Sequence, residues 1–196
     1  FRNIFYKFLL KDIHLVCISK QEKKYLEKNF RKENLYYIPF GVDHEFWHPN
    51  QDNKYDKKYV LAIGNDCARD WQTLIDAWDF NFPTLKLITT LPVSTNKKNI
   101  EIIKGSWGGG FLTDLDIKKL YLNSFYVIIP LKETIQPSGQ SCCLQAMACG
   151  KPVIMSNVRG IWDKNLLINN ENILLVEPNS VNALKIAIKE MNSNKI

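Results

Sequence analysis

The sequence predicts a doubly wound α/β domain, in which a parallel sheet is covered by helices on both faces. Three observations predict it. From residue 59 onward, short apolar runs alternate with segments whose apolar residues recur at helical spacing. The runs are nearly continuous in Ile, Leu and Val, as strands buried on both faces require. Glycine, proline and capping residues stand between the segments, where helices and strands must stop.

In order, YVLAIG (59–64) reads as a buried strand ending in glycine. Residues 70–78 follow as a helix with Trp71, Leu74, Ile75 and Trp78 on one face. LKLIT (85–89) and IEII (100–103) are further strands. DLDIKKLYLNS (114–124) is a helix with Asp114 as N-cap and Leu115, Ile117, Leu120 and Tyr121 as its apolar positions. FYVIIP (125–130) is a strand stopped by proline. QPSGQSCCLQAMACGKPVI (136–154) reads as a polar loop, a small-residue helix over 141–149, a stop at Gly150 and a strand at 152–155. NILLVE (172–177) is one more strand, and Ser180 caps the helix VNALKIAIKEM. The first 58 residues differ. There IHLVCIS (13–19) is a strand feeding a basic helix over 20–32, and YYIPFGVDHEFWHPN (36–50) reads as an interdomain connection.

Bulk composition narrows function less. The 196 residues suffice for one sizeable domain, or for one domain plus part of another. A hydrophobic share of 45% and a charged share of 23% describe an ordinary soluble globular chain. The formal charge of +6 suits anionic partners such as nucleotides, lipid head groups or nucleic acid. Cysteines 17, 67, 142, 143 and 149 form no C-x-x-C pair, and their odd number suggests reduced thiols in a cytoplasmic protein. His44 and His48 lack a third ligand and Pro49 follows them, so no zinc site is predicted. No run approaches the about 20 apolar residues of a membrane span. The start, FRNIFYKFLLKDIHLVCIS, does not have the pattern of a signal peptide and reads as the middle of a longer protein.

A doubly wound sheet binds ligands at the carboxyl ends of its strands, near the point where the strand order reverses. The turn after the first strand of the domain, GNDCARDW (64–71), holds a single glycine. Neither the G-x-G-x-x-G fingerprint nor a G-x-x-x-x-G-K-[ST] loop occurs, which disfavours a nicotinamide enzyme and a P-loop NTPase. Arg69 stands at the mouth of the sheet, where it can grip a phosphate or else tie the turn through Asp66 or Asp70. Gly139 permits close backbone approach to a ligand. The N–H groups near Gln140, Ser141, Cys142 and Cys143 then form a helix start suited to a diphosphate, or simply a capped helix in a packed unit.

Together, VCISKQEKKYL, IPFGVDHEFWHP, AIGNDCARDWQTLIDAW, LYLNSFYVIIP and LQAMACGKPVI resemble the family 4 glycosyltransferases of the GT-B fold. LQAMACGKPVI is similar to that family's E-A-M-A-x-G-x-P-V-V unit, and GVDHEFWHP (41–49) to the segment joining its two domains. The resemblance implies the tail of an acceptor domain over 1–40, a connection over 41–58 and a Rossmann-like nucleotide-sugar domain over 59–196, hence part of a larger enzyme. It further implies sugar transfer from a nucleoside diphosphate with retention, without a metal, and with no cofactor beyond the donor itself. Gly64, Asn65, Arg69, Ser138, Gly139, Gln140, Ser141, Cys142 and Gln145 are then donor-binding, and Arg69, Gln136 and Glu133 are catalytic candidates.

The sequence departs from the family pattern in three places. Asn65 replaces the first residue of a basic pair. Gln145 replaces a glutamate that holds the ribose. The other family glutamate falls at Gln136 if one residue is inserted, at Pro137 by strict spacing, with Glu133 near enough to substitute. The base is expected against the turns after 85–89 and 100–103, with Trp107 either a stacking partner or, more simply, a core or surface tryptophan. The acceptor stays open, whether glycan, lipid-linked or other. A weakened nucleotide-sugar-binding module is one alternative, favoured by the two glutamines. A DNA-directed transferase is another, and the lysines of 20–32 are its main support. That run reads more simply as a solvated helix face, one that can also touch anionic lipid at a membrane surface.

Overall fold

A computed structural model of the chain describes residues 13–28, 30, 32–49, 55–105 and 112–193. Among them, two parallel sheets form. In the smaller, β1 (Leu15–Cys17) pairs with β2 (Leu35–Tyr37), Leu15 opposite Leu35. The helix between them, α1 (Lys20–Leu26), starts where the Ser19 hydroxyl accepts from the Gln21 and Glu22 N–H groups. It ends sooner than the basic run suggests. None of its residues is buried, so no docked apolar face sustains it. Tyr36 and Tyr37, read from sequence as part of the connection, belong to β2.

The larger sheet has six strands: β3 (Tyr59–Ile63), β4 (Leu85–Ile88), β5 (Ile100–Ile103), β6 (Ser124–Ile129), β7 (Val153–Ser156) and β8 (Leu174–Val176). Their spatial order is β5-β4-β3-β6-β7-β8 and every adjacent pair is parallel. This is the doubly wound α/β architecture expected. Its two halves meet between β3 and β6, where the winding reverses.

Side-chain alternation along a strand sorts the apolar residues into two cores. Tyr59, Leu61 and Ile63 of β3 face a layer containing α3 (Asp114–Leu122) and α4 (Gln140–Ala148). Val60 and Ala62 face the opposite layer, containing α2 (Trp71–Ala77) and α5 (Val181–Ser193). Every residue of β3 is buried, which explains why its sequence shows no alternation. Trp71, Leu74, Ile75 and Trp78 lie together in the second core, as their spacing predicts. Trp47 packs into the first, edge-on to Tyr121 at 5.9 Å, and so seats the 41–49 segment against the larger sheet's layer.

Helix ends show what sequence pattern resolves poorly. The N-cap of α3 is Thr113, not Asp114. The Thr113 hydroxyl accepts from the Asp116 N–H while the Asp116 carboxylate accepts from the Thr113 N–H. Leu115 consequently faces solvent, and Leu122 joins the core in its place. Two lysines are spent inside the structure. Lys97 Nζ donates to the carbonyls of Ile75 and Trp78 at 2.6 and 2.7 Å, at the end of α2. Lys151 Nζ donates to Leu122 O at 2.7 Å, at the end of α3, where burial holds its pKa below the ordinary lysine value. Residues 89–99 cross from β4 to β5 without a helix, an unusual parallel connection. Among the described residues, no helix is long and apolar enough to cross a membrane.

Leu74 is fully buried where α2 meets the sheet. Leu74→Ala is expected to lower the unfolding free energy by about 2–5 kcal/mol, measured by urea denaturation. A loss below about 1 kcal/mol would show that the helix is not docked this way.

Candidate functional site

The turn leaving β3 closes on itself through Asp66. Its backbone carbonyl accepts from the Arg69 N–H at 3.1 Å, and its carboxylate accepts from the Ala68 N–H at 3.2 Å. Such side-chain-to-backbone bonds are the usual way an aspartate shapes a turn. Arg69 is then pinned to the segment after β6: the Asp70 N–H donates to Pro130 O at 3.0 Å, and the Lys132 N–H to Ala68 O at 2.8 Å. The switch point is thereby stitched shut from both sides.

The Arg69 side chain folds back across Gly64. A Cβ on Gly64 would fall on the guanidinium, so glycine is required there by close approach. The guanidinium is buried, with the Asp66 Oδ2 2.8 Å from Nε and the Cys142 thiol accepting from Nη2 at 3.3 Å. The ion pair is imperfect, because the Nε–H is not aimed at the carboxylate, and Nη1 has no hydrogen-bond partner. Nη1 lies 3.4 Å from where a Cβ on Gly139 would be, so the unsatisfied donor sits against the start of α4.

That helix start is open. Gly139 takes φ 77°, in the left-handed region that favours glycine, and provides no side chain to cap the helix. A Cβ there would also lie 2.7 Å from Ile129. The first-turn N–H groups have no intrahelical acceptors and carry the positive end of the helix dipole. Before it, the Ser138 hydroxyl donates to Asp66 Oδ1 at 2.6 Å, joining the two turns.

Between them lies a cavity of about 480 Å³, lined by Asn65, Asp66, Arg69, Gln136, Ser138 and Gly139, with Gln140, Ser141 and Cys142 of α4. A buried cation with one unused N–H pair and an uncapped helix N-terminus converge on it. This donor set suits an anion with several oxygens. Most of the residues chosen from sequence are therefore brought together around one cavity.

Others are occupied elsewhere. Asn65 lines the cavity, but its amide is a tether: Nδ2 donates to Gly105 O at 3.1 Å, and Oδ1 accepts from the Thr90 N–H at 2.6 Å. Glu133 lies outside the cavity lining and accepts from Arg159 Nε at 2.8 Å. Gln145 is also outside that lining, and its Oε1 accepts from the Tyr121 hydroxyl at 3.3 Å. Trp107 falls outside the described residues. Among the described residues, no group of three or more His, Cys, Asp or Glu side chains could hold a metal ion.

Sequence reasoning weighed Asp66 only as a possible tie for Arg69, although the three-residue spacing was a signal for the pair. The turns after β4 and β5, against which the sequence reading set a base, line a larger groove of about 830 Å³ beside the cavity, sharing Cys67 and Arg69 with it. Trp71, Leu91, Val93 and Ile102 line this groove, with Lys104 and Lys132 at its edges. Sequence pattern marks Trp71 only for the core, and its place in the groove depends on segments remote in the chain.

An α/β domain with an anion-adapted switch point is the class that fold and site define. The comparisons then place the chain: it belongs to the glycosyl transferases group 1 family, which matches residues 97–194. It is 28% identical over 191 residues to an uncharacterized glycosyltransferase of Methanocaldococcus jannaschii, covering 92% of this chain and 50% of that protein. Sucrose-phosphate synthase of Thermosynechococcus elongatus superposes with a TM-score of 0.77 at 23% identity, over 98% of this chain and 52% of that one. Anabaena HepE, solved in complex with UDP and glucose, gives 0.73 at 16% identity, over 98% and 57% respectively. At such identities the solved structures show a shared fold. The chain spans about half the length of these relatives.

Gly64→Ala is expected to push the guanidinium out of its slot and to destabilise the protein by about 1–3 kcal/mol in chemical denaturation. An unchanged stability would mean that Arg69 is not held over Gly64. The thiols give a second check. Burial pushes the pKa of Cys143 to about 12 and of Cys149 to about 11, and raises that of Cys17. Cys67 is the exposed one. In the folded protein near neutral pH, a thiol reagent is expected to modify Cys67 fast and the rest only on unfolding. Rapid labelling of a Cys67→Ser variant would contradict this placement.

Proposed function

We propose that this chain is the donor-binding part of a glycosyltransferase that moves a sugar from a nucleoside diphosphate to an acceptor, with retention and without a metal. The observation that carries the reading is the buried Arg69 guanidinium, with Nη1 unpartnered, set against the uncapped start of α4 at the switch point. As the glycosidic bond to phosphate breaks, negative charge grows on the leaving diphosphate. A fixed cation and fixed N–H dipoles in a water-poor site stabilise that charge without reorganising. HepE, of the same fold, was solved with UDP-glucose and with UDP, which supports a nucleotide sugar as donor.

In this reading the diphosphate lies in the cavity on Arg69 and the N–H groups of Gln140 to Cys142, while the Ser138 hydroxyl stays engaged with Asp66. Gln136, at the cavity wall, faces the sugar. The nucleoside extends toward the turns after β4 and β5, where the adjoining groove offers Trp71, Leu91 and Val93 as apolar surface. Residues 1–40 belong to the end of the acceptor domain, 41–58 connect, and 59–196 bind the donor. The acceptor, glycan or lipid-linked, is met by the other half of the enzyme, and the lysines of α1 can steer the protein to an anionic membrane surface.

A second reading, binding with weakened chemistry, is favoured by two specific contacts. Glu133 is paired with Arg159, and the Gln145 acceptor oxygen is already used by Tyr121.

The test is calorimetry and thermal shift of the chain against UDP, GDP, ADP and their common sugars, with donor hydrolysis followed in parallel. One nucleotide is expected to bind saturably, and Arg69→Ala to weaken it at least about ten-fold, the loss of one or more charge-assisted hydrogen bonds. Binding without slow donor hydrolysis would favour the weakened module. Binding that survives Arg69→Ala would remove Arg69 from the site.

A further inference from the structure

The cation on which the donor reading depends is buried, and its counter-ion is not. The Arg69 side chain is 2% exposed, whereas the Asp66 side chain paired with it is 41% exposed. Both line the same cavity, and the carboxylate is the more exposed partner. Asp66 is fastened there by the Ser138 hydroxyl at 2.6 Å and the Ala68 N–H at 3.2 Å. Its grip on Arg69 is poor by comparison, with Nε–H misaimed and Nη1 unused. Lys104 and Lys132 line the adjoining groove and not this cavity. Asn65 is neutral, and the Asp70 carboxylate is turned to α2, accepting from the Thr73 N–H at 3.3 Å. With Asp66 in place, the Asp66–Arg69 pair presents no net charge to an incoming diphosphate.

We propose that Asp66 is an exchangeable internal counter-anion, neutralising Arg69 in the empty site and giving way to the donor's diphosphate, which takes its place on the guanidinium. The inference rests on the donor-site reading above and adds the rule by which that site opens. A phosphate offers the fork of parallel acceptors that a guanidinium prefers and that Asp66 does not supply. On its departure from Arg69, Asp66 rotates toward solvent, the side on which it is already exposed. After transfer it competes for Arg69 again and hastens release of the nucleoside diphosphate. Asp66 is thus an opponent of donor binding. A residue that merely positioned Arg69 would act in the opposite direction.

The experiment compares the unmodified protein, Asp66→Asn, Ser138→Ala and Arg69→Ala, titrated calorimetrically with inorganic pyrophosphate and with UDP, GDP and ADP. Asp66→Asn removes the competing charge while retaining an acceptor for Ser138. It is expected to bind pyrophosphate on the order of ten-fold more tightly, through slower dissociation. Its ligand-free form should melt at a lower temperature, since Arg69 is then a buried charge without a counter-ion, and should gain more from ligand than the unmodified protein does. Ser138→Ala loosens Asp66 without altering charge, and should move affinity the same way by less.

Asp66→Asn binding equally or more weakly, while the unmodified protein binds and Arg69→Ala does not, would overturn the exchange and leave the donor site standing. Failure of both the unmodified protein and Asp66→Asn to bind any of these probes would overturn both. If Asp66→Asn does not fold, Ser138→Ala decides: unchanged or weaker binding overturns the proposal.

Discussion

One buried guanidinium, wedged between two glycines, organises the end of the sheet where a ligand would bind. Arg69 can lie where it does only because Gly64 and Gly139 lack side chains. Its neighbours, Asp66 and Cys142, come from the turn after β3 and from the first turn of α4, segments that the Ser138–Asp66 hydrogen bond also joins. The backbone bonds from Asp70 to Pro130 and from Lys132 to Ala68 close the same seam. A parallel sheet that reverses its winding must leave a gap between its two central strands. Here that gap is filled by a cation whose hydrogen-bonding capacity is only partly used.

Other polar side chains hold the scaffold behind that seam. Lys97 and Lys151 close helix ends away from it. Asn65 ties the turn after β3 to those after β4 and β5, so one amide links three strand ends. These uses account for basic and amide groups that composition alone cannot place. They also explain why a net charge of +6 says little about the ligand: the charge that matters is a single buried one.

The larger sheet was legible because burial on both faces leaves a plain mark, continuous apolar runs such as 59–63 and 124–129. Helix ends were less so. Thr113 and Asp114 are both good capping residues, and only the reciprocal bond with Asp116 selects the first. The Tyr36–Tyr37 strand escaped notice because β2 is only three residues long and runs directly into a segment rich in proline, glycine and aromatics. Of the site, Arg69 and the Gly139–Cys142 helix start were readable from position after a strand or before a helix. The occupation of Glu133 by Arg159 and of Gln145 by Tyr121 was not, since those partners lie 26 and 24 residues away.

By itself the sequence determined the alternation of strands and helices, the glycines at the two turns and the presence of one arginine at the first of them. These are local properties, set by hydrophobic period and by which backbone conformations a residue tolerates. Tertiary structure decided that this arginine is buried, that an exposed aspartate covers it, and that a serine from another turn holds the aspartate there. Such facts depend on distances between segments remote in the chain. A charge's free energy is set by what surrounds it in space, and that is known only once the sheet has closed.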